Sequence, residues 1–180
     1  MKKVIIFLCA LAAILIFPKE ANAYSDTYLK EISPKLWSTT TLRVWIQDSA
    51  RYSGIPENAL SEWQRASNGC LKFRIVKSPK AANFRIYYVN SLQGRAVGLT
   101  SFGYMGNYIS NVNIYLLTNY NGKAPTRNQM YAVTLHEIGH ALGINGHSSN
   151  RNDIMYPDTS VIGIHASGRD YRTIQAMYCR

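Results

Sequence analysis

His136, Glu137, His140, Gly143 and His147 fall in one short run, His-Glu-Ile-Gly-His-Ala-Leu-Gly-Ile-Asn-Gly-His. Histidines four apart project from one face of a helix and can grip one metal ion. Glu137, beside the first of them, is placed to act on a water at that ion. Gly143 can end the helix with a positive φ and turn the chain back. His147 then arrives as a third nitrogen ligand. Three protein ligands leave a fourth position open for water, which is the pattern of a catalytic zinc rather than a structural one. With 4 His and 5 Glu in 180 residues, His-Glu-x-x-His arises by chance in roughly one such chain in 400. The pentapeptide alone therefore competes with an amphipathic helix carrying two incidental histidines. Downstream, Asn152-Asp153-Ile154-Met155-Tyr156-Pro157 weighs against that reading, because it puts a Met in a tight turn where the metal site needs a base.

The segment from His136 to His147, followed by Asp153-Ile154-Met155-Tyr156-Pro157, resembles the metzincin zinc endopeptidases, whose pattern is H-E-x-x-H-x-x-G-x-x-H plus a Met-turn. His-Glu-x-Gly-His-Ala-Leu-Gly, a Ser after the last His, and Met-Tyr-Pro make it similar to the matrixin branch, in a small secreted form of bacterial type. The resemblance implies a zinc-dependent endopeptidase in which Glu137 is the general base and Met155 forms the hydrophobic floor beneath the metal. It also implies a substrate lying extended and antiparallel to an edge strand, best matched by residues 98–102. Residues 156–165 would then wall the pocket for the residue after the cut, with Tyr156, Pro157, Val161, Ile162 and Ile164 giving it an apolar character. One departure stands out. The family pattern places the third His at position 146, where this chain has Gly146, and His147 follows one residue later. An extra Gly after the helix can be absorbed as a bulge, so His147 is the expected ligand. His165, Asp153 and Asp158 are its rivals.

The rest of the chain sets the context. Lys2-Lys3, the apolar run from Val4 to Phe17 and Ala21-Asn22-Ala23 read as a signal peptide over residues 1–23. The apolar run is shorter than the ~20 residues of a membrane span, and no later segment could form one. Residues 24–41 are a lead-in and a candidate short propeptide, and 42–180 the catalytic domain. Asp26, or else Glu31, could reach the metal's fourth position and hold the enzyme latent. An exported chain left with Cys70 and Cys179 is expected to pair them, pinning a C-terminal helix to the turn before a central strand; two free thiols are the alternative. The net charge of +10 favours anionic surfaces or polymers as partners besides a protein or peptide substrate. Nucleic acid is disfavoured, because the charges are scattered and no binding motif appears. A secreted or periplasmic monomer is expected. No His precedes His136, so the structural zinc of animal matrixins is not expected. Calcium is common in the family, yet no Asp-rich loop here supports it.

These residues need a scaffold. Alternating or apolar runs predict strands at 42–46, 71–76, 83–89, 97–104 and 112–117. Helices are predicted from Ile55, over about 128–142, and over 170–178. The fold class is α+β: a twisted mixed sheet of five strands with a zinc-binding active-site helix and a C-terminal helix. Two other functions remain in view. One is a zinc amidase or other hydrolase acting on cell-wall peptides; the other is a non-catalytic metal-binding module, which the intact Glu137 disfavours.

Overall fold

The computed structural model describes residues 32–94, 96–159 and 165–179. The expected signal peptide, Asp26, Glu31, Val161, Ile162 and Ile164 lie outside the described residues. Six strands alternate with three helices: β1 (Leu36–Trp37), β2 (Thr41–Ile46), α1 (Ile55–Ala66), β3 (Lys72–Ile75), β4 (Phe84–Val89), β5 (Gly98–Met105), β6 (Tyr108–Leu117), α2 (Arg127–Ala141) and α3 (Gly168–Tyr178). The sheet order is β1-β6-β4-β2-β3 with all neighbours parallel, and β5 runs antiparallel to β6 on its other edge. The class is the expected one, with six strands in place of five. The extra strand is β1, two residues inside the lead-in, too short to leave a periodic signal.

One corner of the expected topology is corrected. Cys70 precedes β3, which lies at the sheet edge rather than its centre. Strand order depends on which partners meet across the fold, and hydrophobic alternation along one strand does not encode that. The pairing itself is present: Cys70 and Cys179 form a disulfide with Cα atoms 5.5 Å apart, joining the start of β3 to the end of α3.

Strand alternation separates two faces. Leu42, Val44, Phe84, Ile86, Val112, Ile114 and Leu116 point inward and are fully buried. They meet Ala59, Leu60 and Trp63 of α1 and Met130, Val133 and Ile138 of α2 in one core. α2 starts at a capping box: Thr126 Oγ1 accepts from the Gln129 amide, and Gln129 Oε1 accepts from the Thr126 amide. It ends in a Schellman turn. Gly143, at φ 103°, donates to His140 O, and Ile144 donates to Gly139 O. Two carbonyls at that end gain partners from distant side chains: the Trp37 indole donates to Ala141 O (2.9 Å) and the Tyr178 hydroxyl to Leu142 O (2.6 Å). From Met130 to Ala141 almost every residue of α2 is buried, so the helix is a rigid beam between sheet and α1.

Candidate active site

His136 and His140 are one helical turn apart on this beam, and the Schellman turn brings His147 back to face them. The three ring centroids form a near-equilateral triangle with sides of 4.8, 5.1 and 5.0 Å. Their ligand atoms all lie within 4.8 Å of one another. The extra Gly146 lies in a bend between the end of the helix and His147. The rivals for the third position stand elsewhere or are otherwise engaged. Asp153 is buried and accepts from Ser148 Oγ (2.5 Å) and Ser167 Oγ (2.7 Å). His165 is exposed and faces Glu62 at 3.7 Å. Asp158 is not in the cluster.

Backbone carbonyls fix the tautomers of the two helical histidines. A carbonyl can only accept, so the ring nitrogen facing it must carry the proton. His136 Nδ1 donates to Ile154 O at 2.9 Å and His140 Nδ1 to Ile144 O at 2.6 Å. Both Nε2 lone pairs are thereby left for a metal. Burial pushes the His136 pKa down to about 3, helped by the neighbouring His140, and burial also lowers that of His140. Both rings are therefore neutral, the form that ligates. Two neutral imidazoles with their outer nitrogens tied back, and the His147 ring facing them, are a donor set that suits zinc.

Ile154 O is itself held in place. Asp170, at the capping box that opens α3, accepts from the Ile154 amide (3.1 Å) and from the Ser167 amide (2.7 Å). Arg169 pairs with Asp153 at 3.5 Å. The end of α3 thus orients the loop that orients His136. The Asp170 anchor was missed by motif reasoning, although Ser167-x-x-Asp170 is a helix-start signature that could have revealed it. Met155 is fully buried. A Cβ added at Gly139 would collide with the Met155 sulfur and come within 2.9 Å of the Trp63 ring, so Met155 packs beneath α2 at the residue just before His140. Met155→Ala is expected to cost on the order of 2–5 kcal/mol, read as a lower melting temperature; an unchanged melting temperature would contradict this packing.

Glu137 faces the opposite way, toward β5. The Thr100 hydroxyl lies 2.6 Å from Glu137 Oε2 and 3.1 Å from its backbone carbonyl. Gly98 leaves the space the carboxylate occupies, since a Cβ there would sit 2.5 Å from Glu137 Oε1. Burial raises the Glu137 pKa to about 7, against the pull of the Thr100 bond. Thr100 and Gly98 were not singled out beforehand as partners of Glu137, because their role appears only once β5 is known to face α2.

A cleft of about 470 Å³ joins these parts, lined by residues 96–100 and Phe102 of the β5 edge, the three histidines, Glu137, Asn145, Pro157 and Thr159. Next to it a hollow of about 620 Å³ is lined by Val97, Val133 and Pro157, but also by Tyr120, Gln129, Asp158 and Thr159. Its described part is therefore mixed rather than simply apolar. Pro157 lines both spaces and the half-buried Tyr156 lines neither.

The fold and this site define a class. The matrixin family model matches residues 38–179, and the chain belongs to that family of metzincin metalloproteases. Two solved structures of myroilysin are similar in fold. One is 15% identical with a TM-score of 0.52, covering 81% of this chain and 86% of that one. The other is 14% identical with a TM-score of 0.54, covering 83% and 98%. No curated protein matches the sequence closely. Among the described residues, no helix is long and apolar enough to cross a membrane.

Proposed function

We propose that this chain is an exported zinc endopeptidase that cuts peptide bonds with Glu137 as general base. The observation that carries the reading is the meeting of three histidines and one buried, hydrogen-bonded carboxylate beside a strand edge that has no partner among the described residues. His136, His140 and His147 would hold the ion. A zinc bound there would acidify a water and polarise the scissile carbonyl. The substrate would add to the free edge of β5 as another strand, its backbone fixed by main-chain hydrogen bonds. Glu137 would take the attacking water's proton and pass it to the leaving amine. Thr100 would aim that carboxylate, and Gly98 would give it room. The wall of the pocket would come from Pro157, with Ile162 and Ile164 as its further expected contributors. Latency through Asp26 remains part of the proposal, tested by comparing chains that start at Tyr24 and near Thr40 for a lag in peptide cleavage.

The carboxylate must be ionised to act, so activity should fall on the acid side of its pKa. The charge of a bound cation favours the ionised form, which puts the acid limb below the value of about 7. Replacing Thr100 by Val removes a hydrogen bond to the ionised form, so the limb should move to higher pH. A bond to a charged group is worth about 1.5–3 kcal/mol, which corresponds to a shift of about one pH unit or more. Thr100→Ser should restore the wild-type limb. A Thr100→Val limb that does not move would remove Thr100 from this role.

The strongly basic chain favours one alternative, a zinc amidase acting on cell-wall peptides. Digesting a denatured protein and purified peptidoglycan side by side separates the two: the endopeptidase reading expects fragments from the protein only.

A further inference from the structure

Sheets of mainly parallel strands are normally covered on both faces. Here the helices pack on one face, and the side chains that alternate with the core form another surface. In register across it stand Lys72 beside Thr41, Arg74 beside Arg43, and Arg85 beside Trp45. The next row is Tyr87, Tyr115 and Leu99. Trp45 and Tyr87 have ring centroids 5.3 Å apart, and Tyr87 and Tyr115 stack at 5.4 Å with planes 15° apart. All three rings are partly exposed, and Leu99 is 49% exposed. The surface is therefore an aromatic stripe leading away from a cluster of four cations.

The charge on this face is unbalanced. None of the six strands contains an Asp or Glu. Among the described residues, no carboxylate pairs with Arg43, Lys72, Arg74 or Arg85. Two guanidinium groups directly opposite on neighbouring strands repel, which costs stability. Lys72 and Arg74 alone could be explained as guards of an edge strand. Arg43 and Arg85 cannot, because β2 and β4 are interior strands. Arg85 is also held in place, donating to Pro79 O at 2.7 Å and Ala82 O at 2.6 Å. A local cost of this kind, kept on an open face, marks a place where a ligand supplies the missing charge.

We propose that this face binds an acidic polysaccharide. Its carboxylates would pair with the guanidinium groups, which match carboxylate geometry in a two-pronged bond. Its sugar rings would lie along the Trp45–Tyr87–Tyr115 stripe. The disulfide suits an oxidising, exported setting, where such polymers are met and nucleic acid is the lesser partner. The stripe ends at Leu99, which also lines the cleft, so a chain held on the polymer keeps its cleft at the polymer surface. The inference does not depend on the peptidase reading.

Mobility of the full chain in native gels containing polygalacturonate, compared with gels containing neutral dextran, tests it. Retardation by polygalacturonate alone, weakening with salt, is expected. Arg43→Gln/Arg74→Gln should weaken binding at least tenfold, while zinc content and peptide cleavage stay unchanged. Tyr87→Leu should weaken binding several-fold with no change of charge. Lys123→Gln/Arg151→Gln removes the same charge from loops outside the sheet and should leave most of the binding. Equal loss in both double variants would mean net charge alone and would overturn the proposal. So would wild-type binding by Arg43→Gln/Arg74→Gln, unaltered binding by Tyr87→Leu, or tighter binding of oligo-deoxythymidine than of polygalacturonate to the same residues.

Discussion

Glu137→Ala is expected to abolish peptide cleavage while leaving the metal and the fold in place. The loss should be at least the ~10²–10⁴-fold that a positioned general base supplies. Neither helical histidine depends on Glu137 for its orientation, since His136 and His140 are tied to Ile154 O and Ile144 O. Metal content should therefore stay at the wild-type level. The variant should also reveal what the carboxylate costs the fold. Its pKa is raised from an ordinary 4.5 to about 7 by burial, so the metal-free protein binds that proton more tightly folded than unfolded. The resulting stability is fully present below 4.5 and is lost as pH rises through about 7. In metal-free Glu137→Ala this component of the pH dependence should vanish. Near wild-type cleavage of casein by Glu137→Ala would contradict the mechanism.

Reduction of Cys70–Cys179 is expected to be the largest single blow to stability. The two residues are 109 apart in sequence, and the loop-entropy account gives about 4.7 kcal/mol for a loop of ~100 residues. For a domain of this size each kcal/mol is worth about 2–4 °C, so the melting temperature should fall by roughly 10–20 °C. The effect should reach the site as well. The bond ties down the C-terminal end of α3, whose first turn carries Asp170, the acceptor of the Ile154 amide. Reduced protein should lose metal at lower temperature than oxidised protein. Two free thiols by intact mass, or an unchanged melting temperature after reduction, would remove this account.

Much of the site could be read before any coordinates. The spacing of His136 and His140 suits a helix, and Gly143 carries the signal that ends it, whereas the Thr126 cap that starts it falls in a stretch that reads as loop. Met155 is placed by the resemblance of Met155-Tyr156-Pro157 to the matrixin Met-turn. What escaped reading depends on contacts distant in sequence. Trp37 caps the end of α2 from a two-residue strand that no periodicity could flag. Asp153 looked like a rival ligand because carboxylates ligate metals, whereas its oxygens are taken by Ser148 and Ser167. Glu62 is buried in α1 because the Ala166 amide, 104 residues away, donates to it. The edge position of β3 and the inward aim of Thr100 likewise emerge only when the strand order is known.

The central claim is that His136, His140 and His147 together hold one catalytic zinc. Metal content of purified wild-type protein and of His147→Ala, measured beside circular dichroism and peptide cleavage, tests it most directly. The account predicts one zinc per chain in the wild type. It predicts that His147→Ala loses metal and activity together while keeping its secondary structure. Full zinc occupancy with normal cleavage in His147→Ala would contradict it.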